Sequence, residues 1–252
     1  MSRVIIGSAR HDERGQISGG KAGDQKQTGK PDYSGEVSLQ EWYKHDLGWY
    51  VYRAKDSGAA AKIAECMLAA CNNPHIGYNQ NRNQTLYQAS MKYNYDVSQV
   101  TEDCETDCAR LTRVCVLYAG IDVQDFYTAT EPAALDLTGA FTRYTDPDHC
   151  EVPDALRPGD ILITRTKGHS AIVVEADGED PQAPYGYIRT TGSVYIRSAP
   201  RTSAQKITSV PKDRLYIYTG SFGVDPRGRV WYEIDTGTRY GWISSAYARR
   251  EE

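Results

Sequence analysis

The chain has 252 residues, 40 % of them apolar, and a formal net charge of −4. That length fits one large or two modest domains with a sizeable core. The acidic balance argues against a nucleic-acid partner, which calls for a basic surface. No segment reaches the ~18 apolar residues of a membrane span, so membrane insertion is not expected.

The opening residues, Met1-Ser2-Arg3-Val4-Ile5-Ile6-Gly7-Ser8, lack the roughly 7–15-residue apolar stretch of a secretory signal. Cytoplasmic synthesis without a signal peptide is the expectation. Residues 7–41, rich in Gly, Lys, Gln, Ser and Asp, read as an irregular, loop-heavy segment. It ends in Trp42, Tyr43, Trp49 and Tyr50, which alternate with polar residues as a strand would from Leu47 to Arg53. The chain holds 19 Tyr against 3 Phe and 4 Trp. Tyr offers apolar area with a polar tip, which suits a groove that meets a polar polymer.

Ile63, Met67 and Ala70 recur at helical spacing between Ala59 and Cys71, and Asn72-Asn73-Pro74 stops that helix. A second helix is predicted over Gln84–Tyr93. A third is predicted from Asp107 to Tyr118, striped by Leu111, Val114, Cys115 and Tyr118 and ended by Gly120. Residues 142–158 read as a polar loop. Arg157-Pro158-Gly159-Asp160 is a turn signal, and the runs Ile161–Thr164 and Ala171–Val174 read as a β-hairpin. Residues 178–186 have the acidic, Pro-rich composition of a linker. Beyond it, short apolar-aromatic runs at 193–197, 215–219, 230–234 and 241–243 alternate with turn signals, as in a small all-β barrel.

The six cysteines, at 66, 71, 104, 108, 115 and 150, contain no Cys-x-x-Cys pair, so a zinc ribbon is not expected and no cofactor is implied. Cys66, Cys71 and Cys115 read as buried apolar thiols. Cys108 differs. Asp107 is a good N-cap, which places the Cys108 thiol in the first helical turn. There the helix dipole and free N–H groups favour the nucleophilic thiolate. His169 stands between two apolar runs, where an imidazole faces a cleft. The other histidines lie in polar loops or links. A Cys/His pair is the minimum for acyl transfer. Glu175 and Asp177 follow on the same strand and share a face with His169 by parity, so either is a candidate to orient the imidazole.

Asp107-Cys108-Ala109-x-Leu111, then Pro158-Gly159-Asp160, then Gly168-His169-Ser170-Ala171-Ile172-Val173 together resemble the NlpC-type cysteine peptidases of bacterial cell walls. They resemble the related CHAP amidases almost as well. The family's third residue, a His, Asn or Gln on the next strand, has no match here. The run from Gly7-Ser8-Ala9-Arg10 through Gly19-Gly20-Lys21-Ala22-Gly23-Asp24-Gln25 to Trp42-Tyr43 resembles lysins of phages and prophages of clostridia-like bacteria. Gly192-Ser193-Val194-Tyr195-Ile196-Arg197, Trp231-Tyr232-Glu233-Ile234 and Tyr240-Gly241-Trp242-Ile243 resemble a bacterial SH3-type domain.

The resemblance implies an α+β, papain-like NlpC-type catalytic domain over 1–178, a linker over 179–186 and an SH3-type wall-binding domain over 187–252. It implies a peptidoglycan hydrolase that acts on the wall after release, with stem peptide and cross-bridge as its partners. Cys108 and His169 would be catalytic, with Glu175 or Asp177 assisting. Asp107, Trp42, Tyr195 and Tyr247 would contact substrate. Val194, Ile196 and Trp231 read instead as barrel core. An amidase and a non-catalytic wall binder remain the alternatives.

Overall fold

A computed structural model of the chain describes residues 3–18, 20–176, 187–236 and 239–251. The chain divides into two compact units, Met1–Glu179 and Asp180–Glu252.

The first unit contains β1 (Val4–Ala9), β2 (Val37–Glu41), β3 (Trp49–Ala54), α1 (Ser57–Cys71), β4 (Ile76–Tyr78), α2 (Thr85–Met91) and β5 (Cys104–Thr106). There follow α3 (Cys108–Tyr118), α4 (Glu131–Thr138), β6 (Phe141–Tyr144), α5 (Pro147–Cys150), β7 (Ile161–Thr164) and β8 (Ser170–Ala176). Six strands form one antiparallel sheet in the order β2-β1-β8-β7-β3-β6. β4 and β5 form a separate parallel pair.

Strand parity explains why both faces of this sheet are covered. Ile5, Ala9, Ile161, Ile163, Ile172 and Val174 pack with α1 and α3 residues such as Ile63, Met67, Leu111 and Cys115. Val4, Ile6, Trp49, Val51, Leu162, Ala171 and Val173 form a second core on the opposite face. Helices segregated on an antiparallel sheet make the unit α+β. β1 is buried along its whole length. Its Gly7 lets α1 approach: a Cβ there would sit 2.6 Å from Met67 Cγ and 2.9 Å from Cys71 Sγ. Two expectations are corrected. Val4–Ala9 is a central strand, because a strand buried on both faces reads as an apolar run without alternation. The supposed polar loop opens with edge strand β6, which is half exposed and therefore polar.

The helices start where the sequence places caps. Asp56 accepts from the Ala59 N–H at 2.7 Å, and Asp107 accepts from the Arg110 N–H at 2.8 Å. The turn before β7 is held by Asp160. It takes two hydrogen bonds from Arg53, at 2.8 and 2.6 Å, and one from the Arg157 N–H at 2.9 Å. Beside it Gly159 has φ +87°, and a Cβ there would meet the Ala60 carbonyl oxygen at 2.2 Å. That turn carries β7, and through the hairpin it carries β8.

The second unit contains β9 (Tyr187–Thr190), β10 (Val194–Arg197), β11 (Lys206–Val210), β12 (Leu215–Val224), β13 (Val230–Asp235), β14 (Tyr240–Ser244) and β15 (Ala248–Glu251). The strand order is β11-β10-β14-β13-β12-β9-β15, antiparallel throughout. Ile188, Ile196, Val210, Tyr218, Ile234 and Ile243 fill its core. Ile196 and the buried Trp231 are interior, as expected.

The Arg53–Asp160 pair is buried on its carboxylate side. Asp160→Ala strands the guanidinium and opens the turn, so the expected loss is ~3–5 kcal/mol. Urea unfolding of the variant measures it.

Candidate active site

Cys108 is the first residue of α3, capped by Asp107 in extended backbone at φ −111°. Cys108 as a residue is partly exposed, but its sulfur is enclosed and accepts hydrogen bonds from the backbone N–H groups of Ser170 and Ala109. The start of β8 therefore meets the N-terminus of α3. The Thr112 hydroxyl, one turn along, donates to the Cys108 carbonyl at 3.1 Å and lies 3.2 Å from Ser170 Oγ. At the end of β4, burial pushes the Tyr78 hydroxyl up, and a charge on Cys108 would push it the same way.

Electrostatically the site departs from the sequence expectation. Burial pushes the Cys108 thiol up to about 12, and Asp107 and then Glu131 push the same way. The two backbone N–H groups oppose this and lose. Desolvation of a thiolate outweighs a helix N-terminus when the sulfur is enclosed. The resting group is a neutral thiol.

His169 lies one residue before β8. Its backbone N–H donates to Thr164 Oγ1 at 3.1 Å, and its carbonyl accepts from the Thr164 N–H at 2.9 Å. The peptide joining His169 to Ser170 touches the sulfur. Ser170 faces Thr112 and the helices, whereas His169, one residue before the strand, is not held in its pleat. Burial lowers its imidazole to about 4, and Arg10 and His45 add to that. Among the described residues the ring makes no hydrogen bond.

The remaining candidates separate. Glu175 is exposed and pairs with Arg3 at 3.7 Å. A β-bulge opposite Ile5 and Ile6 breaks the parity that would align Glu175 with His169, so it does not orient that ring. Asp177 lies outside the described residues. Asp107 is buried and fully engaged: one oxygen caps Arg110 and the other takes the Asn83 amide at 2.5 Å, leaving it a structural role. Trp42 packs against the second core, and its buried Nε1 has no partner. Tyr195 and Tyr247 are exposed and line a cleft of about 360 Å³ in the second unit, with Arg197, Arg229 and the edge of Trp231. The Lys206 ammonium sits 4.0 Å above the Tyr195 ring. Among the described residues no three His, Cys, Asp or Glu side chains converge as metal ligands do.

One site residue escaped the sequence reading. Glu131, in the first turn of α4, is 0 % exposed, and neither carboxylate oxygen has a hydrogen-bond partner. It faces Ser170, Asp107 and Cys108. Glu-Pro at a helix start is readable as a helix signal. Its burial is not readable, since it depends on how α4 docks.

The profile of the endolysin-like domain matches residues 6–180. The chain belongs to the endolysin-like family. A bacterial SH3 domain profile matches residues 192–248. No curated protein and no solved structure matches the chain. An endolysin-like domain joined to a bacterial SH3 domain suggests a peptidoglycan hydrolase that works at the cell wall. No helix among the described residues is long and apolar enough to cross a membrane.

The raised thiol sets a reactivity expectation. Near pH ~7–8, Cys108 of the free protein should alkylate at least ~10-fold more slowly than an unperturbed thiol of pKa ~8.5, and the rate should still be climbing above pH ~10. Intact-mass analysis after timed iodoacetamide exposure reads this. A plateau near pH ~8.5 would show that burial does not govern the sulfur.

Proposed function

We propose that this endolysin-like protein hydrolyses an amide bond of the peptidoglycan stem peptide through Cys108, on a papain-like NlpC-type first domain. The observation that carries the reading is the Cys108 sulfur at a helix N-terminus, accepting from the Ser170 and Ala109 N–H groups. A sulfur held this way is positioned for attack, and its charge has donors waiting once it forms.

In this reading Sγ bonds to the scissile carbonyl carbon as the S–H proton passes to the His169 imidazole. The Cys108 backbone N–H, unused by the Asp107 cap, donates to the oxyanion. The C–N bond then breaks, His169 returns the proton to the departing amine, and water hydrolyses the thioester to restore the thiol. Both groups are neutral at rest, so proton transfer accompanies attack and does not precede it. The second domain holds the enzyme on its insoluble substrate and raises its local concentration. Residues 187–252 are net basic while the whole chain is net acidic, which suits attraction to an anionic wall.

Cys108→Ala should abolish clearing of purified walls while the protein stays folded, and a folded variant that retains clearing removes the assignment. His169→Ala should reduce turnover of soluble wall fragments by ~100-fold or more if the imidazole carries the proton. An unchanged rate assigns the proton elsewhere. Mass spectrometry of the fragments names the bond and separates a peptidase from an amidase.

Tyr195→Ala with Tyr247→Ala should release the protein from walls into the supernatant yet leave cleavage of soluble fragments unaltered. Sedimentation with purified walls measures this. Full retention would place wall binding outside the cleft.

A further inference from the structure

Glu131 is the least accommodated group in the first unit. A carboxylate cut off from solvent, with only the Ser170 hydroxyl beside it and no bond at ordinary hydrogen-bond distance, costs several kcal/mol to keep ionised, and a buried acid avoids that cost by holding its proton. The surroundings reinforce this. Asp107 faces Glu131 from the α3 cap and disfavours a second negative charge. Cys108 faces it from the first turn of α3. Tyr52, on β3, feels it as well, and donates from its hydroxyl to the Pro132 carbonyl at 3.3 Å. Ser170, on β8, offers the hydroxyl that opposes these effects.

Geometry ties this acid to the nucleophile by a short buried path. Glu131 faces Ser170, whose Oγ lies 3.2 Å from Thr112 Oγ1, and Thr112 donates to the carbonyl of Cys108 at 3.1 Å. The same Ser170 gives its N–H to the Cys108 sulfur. Ser170, Thr112 and Glu131 are all 0 % exposed.

We propose that Glu131 is a positioning residue for Cys108: a carboxylic acid kept neutral in the core, which braces Ser170 and keeps negative charge away from the sulfur while the thiolate forms. It acts through Ser170 and takes no proton from the thiol. The same principle operates wherever an apolar site holds an acid protonated so that it serves as a neutral hydrogen-bonding group. Ionisation of Glu131 at higher pH places a second charge beside the sulfur and turns the site off. This inference rests on Cys108 being the nucleophile.

Glu131→Gln in the full chain is the decisive variant, since glutamine keeps the shape and the donor and cannot ionise. Two readouts are needed: turnover of soluble wall fragments across pH, and the pH dependence of Cys108 alkylation by iodoacetamide. The expected result is turnover near pH ~7 far short of the ~100-fold loss that marks a proton-transferring group. Activity should also persist further into the alkaline range than in the parent. Alkylation near pH ~9–10 should become at least ~3-fold faster, because relief of half a pKa unit triples the thiolate fraction. A ~100-fold fall in turnover would overturn the proposal in favour of a base. An alkylation profile superimposable on the parent's, in a variant with unchanged melting temperature, would overturn it in favour of a purely structural residue. Alkylation needs no substrate, so a parent protein that cleaves no wall fragment would sink the hydrolase reading and leave the Glu131 coupling separately readable.

Discussion

Enclosure of the α3 N-terminus by the start of β8 is the constraint on which the site depends. The Ser170 N–H meets the Cys108 sulfur, and the Thr112 and Ser170 hydroxyls lie 3.2 Å apart, which brings the helix and the strand together. Around it lie Asp107, Thr112 and Glu131, all buried. Water excluded from this space cannot solvate charge, so every ionisable group there moves toward its neutral form. The helix dipole and the N–H groups act in the opposite direction. A few tenths to two kcal/mol at a helix end does not offset loss of hydration around a sulfur anion. The outcome is a Cys108 thiol held in its neutral form.

The sheet turns this local constraint into a global arrangement. Because each strand alternates its side chains, the six-stranded sheet has a helix-covered face and a second apolar face. Ser170 belongs to the first, and His169 lies just before the strand that carries it. The hairpin that carries them starts from the Asp160 turn, where Arg53 and the glycine at 159 fix the path of β7. The Arg53–Asp160 pair therefore helps fix the hairpin that carries the sulfur's N–H donor.

The second unit illustrates a different division of labour. Its core is small and one-sided, filled by Ile188, Ile196, Ile234 and Ile243. Two of its exposed tyrosines, Tyr195 and Tyr247, line one cleft with Arg197 and Arg229. Aromatic walls with guanidinium edges suit a polar, partly anionic chain, since the rings supply contact area and the arginines supply direction.

Much of the fold was legible in the chain. The helix of Cys108 was readable because Asp107 caps it and Gly120 ends it, both local effects. The hairpin of β7 and β8 was readable because its apolar runs are bounded by turn residues. β1 and β6 were missed for opposite reasons: one strand is buried on both faces and the other lies at an edge, and neither alternates. The cysteine at the helix start was likewise visible from spacing. Its charge state was not, because a pKa is set by what encloses the group and enclosure is a property of the packed molecule. Parity along a strand was readable, but the bulge that breaks it before Glu175 was not. Nor was the role of Glu131, an ordinary first-turn acid in sequence that becomes a desolvated neighbour of the sulfur only when α4 docks. The sequence by itself determined most of the elements, their caps and the place of Cys108 at a helix start, all matters of local chemistry. Tertiary structure alone decided which side chains share a face and which lose their water, because those depend on residues distant in the chain.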